Sequence, residues 1–291
     1  MKLVIALVLI SFANSAYGKA VNPNVGMYDY HRRIGMFEAD RIRKFEKDVT
    51  DSKSARVVGG STTTIGLVPY QAGLIITFRV VFTSVCGGSI ISDSKILTGA
   101  HCYNDGVSIA QSITVVVGSN LMFVGGTRMT ASRVVMYPGY NPSIFANDIA
   151  VVFVPRLSFS LFIQPINLPF GSELNMNFVG QTALASGFGV TNDGEQVSLT
   201  QPITSVNLQV ISNIDCQRIY GNLIQGSHLC TNGVNGQGIC RGDTGGPLVT
   251  TINTRRILIG IGSFTSTTGC QAGHPSGFSR VTFFVPWINS V

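Results

Sequence analysis

Beyond residue 56 the chain is a series of short apolar runs separated by turn residues. Leu74–Phe78, Ser89–Leu97, Ile113–Val117, Ile149–Val154, Gln181–Ser186, Val206–Val210, Leu248–Thr251 and Ile257–Ile261 alternate with period two or are continuously apolar over a strand's length, and Gly, Pro, Asn and Asp punctuate them. Strands at that spacing, without helical patterns between them, predict an all-β sandwich or barrels. The last stretch, VTFFVPWINSV, predicts one short helix after Pro286. Before residue 56 the pattern changes. FEADRIRKFEKDVTDSKSAR is charged and partly helical, with Met36, Phe37, Ile42 and Phe45 as its apolar points.

The first 18 residues read as an export signal: Lys2, then the apolar run Leu3–Phe12, then small residues in Ala16-Tyr17-Gly18. Cleavage is expected after Gly18. No later segment holds the roughly 20 apolar residues of a membrane helix, so a secreted product without a membrane span is expected. Six cysteines, all beyond residue 85, suit an oxidising destination.

Composition adds two points. At 45% hydrophobic and 12% charged, the 291 residues suit a sizeable core rather than disorder. The net charge of +6 is concentrated early: residues 19–56 hold nine Lys or Arg against six Asp or Glu, residues 57–291 ten against eight. A basic nucleic-acid face is therefore not indicated. Nine of the later ten cations are Arg and one is Lys95. Arg keeps its charge where Lys, near pH ~10.4, loses it. Adaptation to an alkaline fluid and compositional drift explain this equally well.

Four local signals carry candidate chemistry. SVCGGSIISDSKILTGAHCY sets His101 beside Cys102 after a strand; taken singly, such a His is most often structural. NDIAVVFV brings Asp148 into an apolar strand, where it could simply cap a turn. CRGDTGGPLV surrounds Thr244 with glycines and an acid. ARVVGG, residues 55–60, sets a basic residue before small apolar ones.

In this order the signals resemble the chymotrypsin/trypsin family of secreted serine proteases, from about Val57 to Val291. The resemblance is carried by LTGAHC (Leu-Thr-Ala-Ala-His-Cys in the family), DIAVV, IQPINLP, ASGFG, GDTGGP (Gly-Asp-Ser-Gly-Gly-Pro in the family) and GFSRVTFF. Within the family it is most similar to insect digestive chymotrypsin-like enzymes. It implies two packed six-stranded antiparallel β-barrels with the site between them and a short C-terminal helix. By the motif match, His101 is the general base and Asp148 orients it. Gly242 and Thr244 N–H groups form the oxyanion hole. A trypsin-like activating protease cuts between Arg56 and Val57, and the freed amine of Val57 pairs with Asp243. Residues 19–56 then read as a propeptide, and with no cysteine to tether it, it is expected to leave after the cut. The implied disulfides are Cys86–Cys102, Cys216–Cys230 and Cys240–Cys270. The cysteine and histidine spacings fit no zinc pattern. No metal or cofactor is expected, and no clear acidic loop marks a calcium site.

At the nucleophile position the family has Ser and this chain has Thr244. Its extra methyl stiffens χ1, and crowding in a close-packed site costs ~1–3 kcal/mol. Low or absent turnover is the first expectation. An active endopeptidase is the alternative, since Thr hydroxyls serve as nucleophiles elsewhere. Gly238 is expected at the base of the specificity pocket, with Thr265 and Ser276 on its walls, favouring small or medium apolar side chains. The implied partners are protein or peptide substrates and protein protease inhibitors. The expected setting is a monomer in an extracellular fluid such as a gut lumen.

Overall fold

A computed structural model describes residues 28–51, 63–78, 82–191, 193 and 202–291. The expected export signal, residues 1–18, and the expected cleavage site at Arg56 and Val57 lie outside these. Thirteen strands among the described residues form two antiparallel sheets. In the first, β1 (Gln71–Phe78), β2 (Phe82–Ile90), β3 (Lys95–Thr98), β4 (Ser112–Val117), β5 (Thr127–Thr130), β6 (Arg133–Met136) and β7 (Ala150–Phe153) run in the order β5-β4-β1-β2-β3-β7-β6. The count is seven strands, not six. The seventh arises because one segment, residues 127–136, bends at Ala131–Ser132 and pairs with both edges. Across the bend Ala131 N–H donates to Ile113 C=O (2.8 Å) and Ser132 N–H to Phe153 C=O (2.8 Å).

The second sheet is a closed six-stranded barrel of β8 (Thr182–Gly187), β9 (Thr204–Ile211), β10 (His228–Thr231), β11 (Pro247–Ile252), β12 (Arg255–Phe264) and β13 (Ser276–Arg280), in the order β10-β13-β12-β11-β8-β9. Closure removes exposed edges. Leu208, Leu229, Leu248, Ile257, Ile259 and Phe278 fill this barrel. The Cys216–Cys230 disulfide pins α2 (Asn213–Tyr220) to β10. Ser212 caps that helix, accepting from Asp215 N–H.

Three expectations need correction. The apolar run Ser89–Leu97 is not one strand: Ser92-Asp93-Ser94 turn the chain between β2 and β3. The terminal helix α3 (Val281–Ser290) begins before Pro286, not after it. Pro286 sits inside the helix at the loss of one backbone donor, while Val281, Phe284, Val285 and Ile288 are buried beneath it. Helix α2 was not expected.

The charged early segment is ordered against the first sheet. A π-helical turn (His31–Gly35) leads into α1 (Met36–Asp51). Gly35, Glu38, Ala39, Ile42 and Glu46 are buried, a stripe at offsets of three, four, seven and eleven residues that defines one helix face. Phe37 points away and is exposed, while the Phe45 side chain is outside the described part. Gly35 is required by proximity: a Cβ there would stand 1.8 Å from Ser84 Oγ on β2. Glu46 accepts the Met122 and Phe123 N–H groups, and Arg43 lies 4.9 Å over the Phe123 ring. His31 N–H donates to Asp105 Oδ2 (2.9 Å), and its Nδ1 is 2.9 Å from Ser84 Oγ.

Two predictions follow from this packing. Phe278→Ala empties the middle of the second barrel and should lower stability by about 3–5 kcal/mol, read from chemical unfolding midpoints at unchanged slope.

The second concerns pH. Burial lowers the His31 pKa from 6.5 to about 4, although Asp105 pulls upward and His101 downward. Burial raises that of Glu46 from 4.5 to about 7, against the Met122 and Phe123 amides and Arg128. As pH falls below 6.5, an undocked segment binds a proton at His31 before the docked one, so docking weakens. As pH rises above 4.5, the undocked segment ionises Glu46 first, so docking again weakens. In the natural chain the slopes oppose. His31→Gln should leave α1 losing protection as pH rises between 4.5 and 7, and Glu46→Gln should leave it losing protection as pH falls from 6.5 to 4. Hydrogen exchange of α1 amides, corrected for intrinsic rate, reads both.

Candidate active site

His101 is delivered by the turn that ends β3. Thr98 Oγ1 donates to Gly87 C=O (2.8 Å), fixing the strand's last residue. Gly99 then opens a single helical turn, Ala100–Cys102, whose last residue is bonded to Cys86 on β2. A Cβ on residue 99 would lie 2.7 Å from His101 Nδ1, so Gly at this position leaves the space in which the ring rests. Cys86 and Cys102 flank the ring, but their disulfide leaves no thiolate to bind a metal.

Asp148 precedes β7, after a tight turn in which Phe145 and Asn147 adopt positive φ. Its Oδ1 accepts the His101 N–H at 2.9 Å. Its Oδ2 accepts from His101 Nδ1 at 2.7 Å and from Ser263 Oγ at 2.5 Å. Ser279 Oγ donates to its backbone carbonyl at 2.6 Å. His101, Asp148 and Ser263 are fully buried. Burial alone would raise the Asp148 pKa, but attraction to His101 and the bonds from His101 and Ser263 hold it below the ordinary carboxylate value. The carboxylate therefore stays ionised and fixes the tautomer with the proton on Nδ1.

Thr244 lies in the turn before β11, between Gly242 (φ +95°) and Gly245 (φ +82°). Its carbonyl accepts Gly87 N–H at 2.7 Å, and Gly245 N–H donates to Gly262 C=O at 2.7 Å. Neither the Gly242 nor the Thr244 N–H has an acceptor among the described residues. The Thr244 side chain is fully buried, and among the described residues its hydroxyl lies beside that of Tyr30 and makes no hydrogen bond to His101. His101 Nε2 faces sulfur instead: Cys102 Sγ at 3.5 Å and Cys86 Sγ at 4.0 Å. The structure thus joins His101 to Asp148 and leaves Thr244 unjoined to His101.

Asp243 is buried behind this turn. Its Oδ1 accepts Gly189 N–H (2.8 Å) and its Oδ2 accepts Cys240 N–H (3.0 Å). Burial pushes its pKa up to about 6, with Glu38 adding to the rise and the two amides resisting it. A Cβ at Gly187 or Gly189 would meet Asp243 Oδ1 at 2.2 or 2.6 Å, so the cage depends on glycine.

The three residues assigned to the specificity pocket separate. Gly238 and Ser276 are neighbours: Ser276 Oγ accepts Ile239 N–H at 3.2 Å and lies 2.7 Å from where a Gly238 Cβ would be. Gly238 lines a cavity with Ser186, Val190, Asp243 and Cys270. Thr265 lines a different one, with Arg33, Ile34, Asp193 and Arg241, which also touches Cys270. All six cysteines are bonded, Cys86–Cys102, Cys216–Cys230 and Cys240–Cys270.

Several site residues were not anticipated from the sequence. Ser263 sits in an apolar strand and could have been found only as the polar member of that run. Tyr30 is fully buried, its ring edge-on to His101 with centroids 5.1 Å apart. Its hydroxyl donates to Val85 C=O at 2.7 Å. Burial raises its pKa above the ordinary phenol value, and the Thr244 side chain beside it works the other way. Glu38, from α1, sits against Gly242 and pairs with Arg41 (2.5 Å) and Arg241 (3.6 Å).

Comparison with known proteins agrees with this geometry. The family model described as Trypsin matches residues 57–288. A curated relative from Hypoderma lineatum named Collagenase is 38% identical over 241 residues, 82% of this chain and 88% of that one. Brachyurin from Leptuca pugilator is 33% identical over 238 residues, 80% of this chain and 97% of that one. Among solved structures, one described as HL collagenase superposes with a TM-score of 0.72 at 36% identity, covering 80% of this chain and 97% of that one. No helix among the described residues is long and apolar enough to cross a membrane. With a match across most of its length and a dyad set between two β-barrel-like sheets, the chain belongs to the trypsin family of chymotrypsin-like serine proteases.

Proposed function

We propose that this chain is a secreted, zymogen-type member of its family whose mature domain starts at Val57 and whose turnover is low or absent because Thr244 occupies the nucleophile position. One observation carries the reading: a buried His101–Asp148 pair is in place, yet among the described residues the buried Thr244 hydroxyl makes no hydrogen bond to His101. A nucleophilic hydroxyl must pass its proton to the base within hydrogen-bond reach. The β-methyl of Thr adds bulk where the substrate carbonyl must approach. Displacing a reacting atom by ~1 Å is enough to lower rates by ~100-fold.

In this reading Asp148 orients His101, the Gly242 and Thr244 amides serve the oxyanion, and Asp243 receives the Val57 amine after cleavage at Arg56. That amine would place a positive charge against a carboxylate that burial now disfavours. Gly238 sits beside Ser276 in a cavity whose acid, Asp243, is bonded to the Gly189 and Cys240 amides, which fits small or medium apolar side chains. Export through residues 1–18 and action as a monomer in a gut fluid belong to the same reading.

The second reading, an active endopeptidase, draws on Ser263: its bond to Asp148 completes the support an operating dyad needs. The name Collagenase of one relative makes fibrous protein a substrate worth including in any assay.

Two measurements test these readings. The chain 19–291 is cut at Arg56, freed of residues 19–56, and titrated with a fluorophosphonate label beside Thr244→Ser, with peptide assays at neutral and alkaline pH. Thr244→Ser should label and cleave at least 100-fold faster than the natural chain; rates within tenfold, ~1.4 kcal/mol of barrier, would make Thr244 a working nucleophile. In the Thr244→Ser background, Asp148→Asn should lower kcat by roughly 10⁴, the loss seen when this kind of triad takes the wrong tautomer. A smaller loss confined to KM would remove Asp148 from the orienting role.

A further inference from the structure

The early segment does more than precede a cleavage site. Tyr30 covers His101 and lies beside Thr244, and its hydroxyl is bonded to the carbonyl of Val85, next to the disulfide under the histidine. Asp29 N–H reaches Asp105 C=O at 3.4 Å, and His31 N–H binds the Asp105 carboxylate. The His31 ring packs on Phe78 with centroids 4.5 Å apart. Arg33 and Ile34 line the cavity that holds Thr265. Glu38 Cβ lies 4.0 Å from where a Cβ on Gly242 would stand, beside an amide the reaction would use, and its carboxylate pairs with Arg241. Ala39 and Ile42 join the apolar cluster containing Val85, Leu97, Met122 and Phe188. From one end to the other, the segment touches the base, the nucleophile position, the oxyanion turn and a cavity wall.

We propose that residues 28–51 are a built-in peptide inhibitor, a ligand of the cleft that stays bound after the chain is cut at Arg56. The idea rests on reading the His101 cleft as a peptide-bond site. It replaces the expectation that the propeptide departs on cleavage: among the described residues, the contacts of residues 28–51 with the rest of the chain are non-covalent and lie N-terminal to the cut. The cleft's ligand class follows from the same contacts. It is a helical peptide that offers a phenol to the histidine, a glycine at the closest approach to β2, and an acid to Arg241. Cutting at Arg56 is then a first step, and removal of the helix a second one.

The test uses the chain 19–291 with residues 53–55 exchanged for the recognition sequence of a site-specific endoprotease that cuts after Arg56. After cutting, size-exclusion chromatography should find the fragment 19–56 eluting with the domain. In the Thr244→Ser background, fluorophosphonate labelling should stay at least tenfold below the rate reached once the fragment is stripped away, and adding the fragment back should restore the block. Tyr30→Ala and Gly35→Val lie in the propeptide and leave the domain's own sequence intact; each should release the fragment on cutting and lift the block. A fragment that separates at once, and leaves labelling unchanged when returned in hundredfold excess, overturns the proposal. A fragment that stays bound, with its release dependent on Tyr30 and Gly35, supports the inhibitor even if the stripped Thr244→Ser domain never labels; that last result would sink the protease reading alone.

Discussion

The bonds converging on Asp148 hold the two halves of the molecule in register. This one carboxylate takes hydrogen bonds from His101, on the first sheet, and from Ser263, on the second, while Ser279 holds its carbonyl. A charge that deep would be costly to leave unpaired, and three donors offset its desolvation. The same bonds leave little freedom in the relative placement of β3, β7, β12 and β13. The geometry of the site and the packing of the barrels are therefore one constraint rather than two.

Around that anchor, glycine does work that no other residue could. Gly87 approaches Gly246 and accepts no side chain: a Cβ there would be 2.7 Å from the Gly246 nitrogen. Gly187 and Gly189 crowd the Asp243 carboxylate, and Gly242 and Gly245 bracket Thr244 at positive φ. The turn carrying the chemistry is thus clamped by backbone on three sides. With Thr244 inside such a clamp, the dyad beside it keeps its 2.7 Å bond.

Much of this was legible in the residues. Eight apolar runs matched eight of the strands or strand pairs because a strand buried on both faces shows itself as continuous hydrophobicity. The four missed strands are short: TRMT and RVVM share one bent segment, HLCT hides a buried His228 behind a cysteine, and SGFSR holds a single large apolar side chain. His101 and Asp148 were readable because their motifs are rigid local units. The bond from Ser263 was not, because nothing local announces a partner 115 residues away. The early helix misled most. Glu38 and Glu46 look like solvated charges in a charged stretch, yet both are buried. Apart from the local Arg41, their partners are Arg241 and two backbone amides, groups that sequence patterning cannot see.

The bend at Ala131–Ser132 has its own consequence. A barrel normally has one seam per pair of strands, and breaking one leaves the others closed. Here a single ten-residue ribbon, 127–136, supplies both outer seams, and exposed arginines stand on either side of its corner at Arg128 and Arg133. One scission in this ribbon would unzip two seams together. The first barrel therefore has an exposed corner at which two seams depend on one stretch of backbone.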